Sequence, residues 1–167
     1  ALLALALGLL FLRYWYQPPV PRDDESRAPS PAPRMSALAR QLGEARLERK
    51  GLTGIHVVDD GVEAFAVRRS LLRAAEFSID AQYYMWRGDL TGSLLMGELL
   101  DAAERGVQVR LLLDDNTTAG TDNVLLAAES HPNIEVRLFN PYMLRKPRWP
   151  SYVFDLRRIN RRMHNKS

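Results

Sequence analysis

His164 and Lys166 are the residues of this chain whose types and spacing best suit a reaction at phosphorus. Residues two apart on an extended strand point to the same face, roughly 6.5 Å apart along the backbone. A neutral imidazole can attack phosphorus, and an ammonium beside it stabilises the charge on the phosphate oxygens. Arg157, Arg158, Arg161 and Arg162 lie just upstream, so the pair is entered through a strongly basic segment. Spacing alone is a weak signal, because a lone His-x-Lys arises often by chance.

Charge distribution narrows the chemistry further. The net charge of the 167 residues is +3, yet residues 141–167 hold eight Lys or Arg against one acid, Asp155. Such a patch attracts phosphate, on a lipid headgroup or on a nucleic acid. The competing reading is a solvated basic face, which is what most charge runs are. Cysteine is absent, which excludes disulfides, a thiolate nucleophile and a Cys-based zinc site. No Gly-rich phosphate loop and no metal-ligand cluster stands in the sequence, so neither cofactor nor metal is expected.

The elements that must position the pair follow from composition and periodicity. Residues 1–16 are Leu- and Ala-rich and end in Tyr14-Trp15-Tyr16, aromatics of the kind that sit at a membrane interface. A membrane anchor is the favoured reading, with a signal-peptide core and a buried helix as alternatives. Residues 17–34 carry six prolines among charged and polar residues, a linker composition expected to be poorly ordered. Residues 35–50 return to helical spacing as a lead-in, closed by Gly51.

Residues 51–167 alternate helix and strand. Asp60 and Glu63 suggest a capping box opening a helix with Ala64, Val67, Leu71 and Ala74 on one face. Strands are expected at Ile79–Tyr84, Val107–Leu113 and Ile134–Phe139. The helix between the first two begins at Thr91 or Gly92 and presents Met96, Leu99, Leu100 and Ala103. A further short helix is expected at Asp122–Ser130, and another at Tyr152–Asn160. Val107–Leu113 is almost continuously apolar, as in a sheet covered on both faces. This order predicts an α/β fold with a largely parallel sheet flanked by helices. A new strand starting at Met163 would carry the His-x-Lys pair.

The other candidate residues have plainer readings. His131 precedes Pro132 in a loop, and His56 has no ligand partner nearby in sequence. Asp114 and Asp115 end a strand where open α/β sheets bind ligands, but the favoured reading is that they cap and solvate the exit turn. Tyr83, Tyr84 and Trp86 suit a lipid pocket, with at least one of them in the core.

Several stretches together carry a family resemblance. Asn160-Arg161-Arg162-Met163-His164-Asn165-Lys166-Ser167 resembles the opening of the phospholipase D motif, in which His, any residue and Lys are followed after four more residues by Asp. The stretches 80–86, 105–116 and 134–141 resemble those of bacterial cardiolipin synthases, particularly the type C group, and the likeness runs from about Gly51 onward. It implies the N-terminal half of a two-motif fold, so the chain is expected to be an N-terminal fragment. The motif Asp and the second motif would lie in the missing C-terminal half.

The implied activity of the parent is phosphatidyl transfer, making cardiolipin from two phospholipids through a phosphohistidine. In that chemistry His164 is the nucleophile or its partner acid, and Lys166 contacts the phosphate. The fragment itself is expected to be inactive. Anionic phospholipid and the membrane are the implied partners, nucleic acid is not, and the location implied is the bacterial inner membrane. A phospholipase D-type phosphodiesterase or nuclease, and a non-catalytic lipid-phosphate binding module, are the competing readings.

Overall fold

The computed structural model describes residues 2–15, 35–49 and 51–167, so the linker expected at 17–34 lies outside the described residues. Six helices and three strands are described: α1 (Leu2–Trp15), α2 (Ala37–Glu48), α3 (Gly61–Ala74), β1 (Ser78–Tyr83), α4 (Leu90–Glu104), β2 (Gln108–Asp114), α5 (Asp122–Glu129), β3 (Ile134–Phe139) and α6 (Trp149–Ile159). The strands form one parallel sheet in the order β1-β2-β3. The expected α/β class and strand positions therefore stand, with β1 and β2 starting and ending within a residue of the sequence reading.

Register explains the core. The rows Ile79–Val109–Ile134, Ala81–Leu111–Val136 and Tyr83–Leu113–Leu138 lie on one face. They pack with Leu95, Met96, Leu99, Ala102 and Ala103 of α4 and Leu125 and Ala128 of α5 into a single cluster. Crossovers of one hand that step in one direction bring their helices to the same side of the sheet. The opposite face carries Asp80, Arg110, Glu135 and Arg137. There Asp80 and Arg110 form a two-bonded ion pair at 2.5 and 2.6 Å, and Arg137 pairs with Glu135. The expectation of a sheet covered on both faces is thus corrected: these charges leave that side polar and half open.

Helix boundaries follow their caps. Asp60 accepts from Glu63 N at 2.8 Å and opens α3 as expected. The Glu63 side chain reaches His56, 3.8 Å away, so His56 does have a near partner. α4 opens one residue before the expected range because Asp89 caps it, accepting from Gly92 N at 2.9 Å and from the Thr91 hydroxyl at 2.7 Å. Gly106, at φ +89, closes α4 in a left-handed turn that favours glycine.

The inward face of α3 is rotated from the sequence reading. Phe65 and Leu72 pack on the core, while Leu71 is 49% exposed. The bulkier Phe65 takes the inner position, which also turns Arg69 toward α4. There Arg69 and Arg73 both donate to Glu98, whose side chain is 6% exposed. Hydrogen bonding from Arg73, reinforced by Arg69, holds the Glu98 carboxyl down at about 2 against the opposing effect of burial.

α1 is 14 residues long, roughly 21 Å at 1.5 Å per residue. Among the described residues no helix is long and apolar enough to cross a membrane.

Candidate active site

The segment carrying His164 and Lys166 returns to the open edge of β1. Gln82 and Ser167 exchange backbone hydrogen bonds at 2.7 and 3.0 Å, and Tyr84 N–H donates to the Asn165 carbonyl at 3.0 Å. Lys166 bridges Tyr83 in the antiparallel sense. The new strand expected from Met163 is therefore a short extended edge, and its antiparallel pairing stands beside an otherwise parallel sheet. An open β1 edge offers unpaired backbone groups, so an extended segment with the right reach pairs there.

The structure brings the two site residues together at one side chain. The Tyr84 ring lies 4.8 Å from the His164 ring, and Lys166 Nζ sits 5.9 Å from the Tyr84 centroid. Both His164 and Lys166 are exposed, so a ligand can reach them from solvent. The sequence offered Tyr84 only as one of three aromatics suited to a lipid pocket. Its role as their common neighbour was not legible, because the contact joins segments about 80 residues apart. Tyr83 turns the other way, edge-on to the buried Trp86 at 5.2 Å, and burial pushes its hydroxyl pKa up. Trp86 belongs to the core, Tyr83 packs against it, and both line the cavity of about 450 Å³ beside α3.

Asp114 and Asp115 cap the exit turn of β2, as the sequence suggested, but they do not solvate it. They are 1% and 0% exposed. Asp114 accepts from Asn116 N at 3.0 Å and from Met163 N at 2.9 Å, the latter directly before His164. Asp115 accepts from Tyr142 N at 2.7 Å, from Arg145 at 2.6 Å, from the Thr118 hydroxyl at 2.7 Å and from Arg148 at 3.3 Å. A buried carboxylate is tolerated only with such partners. The usable signal was a pair of acids at the end of an apolar strand, with a run of arginines downstream.

These contacts change the reading of the basic segment. Arg145 also reaches Asp122, whose carboxyl it holds below its ordinary range by hydrogen bonding. Arg158 pairs with Asp155 at 2.6 Å and donates to the Pro141 carbonyl. Arg145 and Arg148 thus fasten the chain after β3 to the exit turn of β2, and Arg158 ties α6 to the start of that segment. Lys146, Arg157 and Arg161 are exposed, as Lys166 is. The Tyr142 hydroxyl, raised by burial and by its bond to Tyr152, meets Asn116 in the same network.

Asn140 completes the framework that leads to the pair. At φ 49 it occupies the left-handed region that Asn tolerates better than most residues. Its amide donates to the Arg158 and Arg161 carbonyls at 3.0 and 2.9 Å, closing the end of α6. His131 accepts from Asn133 N at 3.1 Å, a turn role as expected. A cavity of about 450 Å³ lies between α2, α3 and β1, lined by Leu71, Leu72, Phe77, Ile79 and Trp86. It adjoins Ser167 but not the His164 ring. Among the described residues no cluster of metal-ligating side chains is present.

The three-stranded parallel sheet flanked by helices agrees with the α/β fold that the phospholipase D resemblance implies. No family model matches the chain. Cardiolipin synthase C of Escherichia coli (strain K12) is 51% identical over 133 residues, covering 80% of this chain and 28% of that protein. The major cardiolipin synthase ClsA of Bacillus subtilis (strain 168) is 38% identical over 61 residues, 36% of this chain and 13% of that protein. The chain is thus related to the bacterial cardiolipin synthases, and its matched part spans less than a third of their length. Among solved structures, the archaeal chromatin protein TrmBL2 aligns over 60% of this chain and 39% of its own, with 19% identity and TM-score 0.44. A likeness that slight carries no argument about DNA.

Proposed function

We propose that the whole protein is a phospholipase D-family phosphatidyltransferase that makes cardiolipin from two phospholipids, and that this chain supplies one of its two catalytic motifs. In this reading a His164 ring nitrogen attacks the phosphorus of the donor phospholipid. The bond from phosphorus to the leaving headgroup oxygen breaks, and a general acid from the second motif protonates that oxygen. Lys166 holds the phosphate oxygens as charge builds. A hydroxyl of the second phospholipid then attacks phosphorus, loses its proton to the same acid–base group, and frees His164.

The observation that supports this most is the convergence of His164 and Lys166 on Tyr84 at an exposed sheet edge, in a chain related to cardiolipin synthases. The competing assignment makes His164 the acid to a second histidine, and isotope trapping separates the two. We place the reaction at the bacterial inner membrane, with the apolar segment 1–16 as anchor. Its exposed Leu3, Leu10, Phe11, Tyr14 and Trp15 are 58–78% accessible and suit a lipid environment.

The direct test is turnover of the whole protein on phosphatidylglycerol vesicles. His164→Ala is expected to abolish cardiolipin formation while leaving vesicle binding intact. Turnover equal to wild type in that variant would exclude His164 from the chemistry.

A further inference from the structure

We infer that Asp114 is the positioning residue of the His-x-Lys pair, acting through the backbone N–H of Met163; this rests on the catalytic reading of His164 given above. His164 and Lys166 are exposed, so packing alone does not fix them. What fixes them is the backbone on either side of His164. Before it, Met163 N–H donates to Asp114 Oδ2 at 2.9 Å. After it, the Asn165 carbonyl accepts from Tyr84 N at 3.0 Å. The His164 peptide is thereby held between the ends of β2 and β1.

Asp114 is suited to that task. It ends the central strand, is 1% exposed, and accepts with both oxygens from backbone N–H groups. Bonds to an ionised acceptor are roughly twice as strong as neutral ones. The same exit turn reaches the pair a second way. The Thr117 hydroxyl donates to the Tyr84 carbonyl, and the Tyr84 ring touches both His164 and Lys166. One turn therefore sets both the backbone and the aromatic neighbour of the site.

A purely structural Asp114 would need only Oδ1, which caps the turn at Asn116. Two substitutions separate the roles. Asp114→Asn and Asp114→Ser each keep one acceptor for the turn and lose the charged bond to Met163. In the whole protein, each is expected to lower kcat about 10- to 100-fold, the scale of a misplacement of about 1 Å, with KM within about twofold. In ¹H–¹⁵N spectra the His164 imidazole signals are expected to shift or broaden, while those of His56 and His131 stay put.

Wild-type kcat in both variants overturns the inference, as does a lowered kcat with unchanged His164 signals. So does an activity loss that matches the unfolded fraction, or misfolding of both variants, since either makes Asp114 structural. Activity in His164→Ala would instead defeat the catalytic reading, and the His164 spectrum would still decide positioning on its own.

Discussion

At the scale of single residues, Lys166 and Tyr84 are expected to make separable contributions to turnover. Loss of one well-placed charge stabiliser costs about 10²–10³ in kcat, so Lys166→Ala is expected to fall in that range in the whole protein, with KM little changed. Tyr84→Phe keeps the ring that meets His164 and Lys166 and is expected to retain near-normal turnover. Tyr84→Leu removes the ring and is expected to lose about two- to fivefold, the worth of an exposed cation–π contact. Steady-state kinetics of the three variants, compared side by side, checks the order. The extended placement of the His-x-Lys segment was legible, because the segment was read as the start of a strand. The bracket of Asp114 was not, because hydrogen bonding to a segment 49 residues away leaves no local pattern. Local turn chemistry read the cap correctly and missed the burial.

At the scale of elements, the α3–α4 junction depends on one buried acid. Glu98 has its folded pKa near 2, below its ordinary value of 4.5. Its contribution to stability is therefore complete above the ordinary value and is lost as pH falls toward 2. Glu98→Gln should lower Tm at pH 7 and flatten the fall in stability between about pH 4.5 and 2. Thermal melts across that range check it; an unchanged acid limb would show that the arginine pair does not favour the ionised form. In the core, Leu111 is 2% exposed on the central strand, and Leu111→Ala should cost about 2–5 kcal/mol in denaturant unfolding. β3 was read at its observed bounds, since Ile134–Phe139 alternates apolar and charged residues between turn residues. α6 starts three residues before its expected beginning, at Trp149, because Pro150 is tolerated in a first helical turn. The inward face of α3 escaped the periodicity because Phe65 and Leu72 compete with Leu71 and Ala74 at almost the same spacing, and bulk decided.

At the scale of the whole molecule, this chain holds together a sheet, an exit turn and an edge segment bearing His164 and Lys166. The reading assigns the leaving-group acid to the rest of the protein. The 167-residue chain by itself is accordingly expected to form no cardiolipin or phosphatidic acid above a His164→Ala control. The most direct test of the central claim is to trap the covalent intermediate. The whole protein is mixed with phospholipid labelled at phosphorus, quenched in alkali within the first turnover, and mapped by mass spectrometry, since phosphohistidine survives base and not acid. The account predicts label on His164, its loss in His164→Ala, and its discharge when unlabelled acceptor phospholipid is added. A fully active protein that carries the label on a different residue, or carries none at any time during turnover, would contradict it.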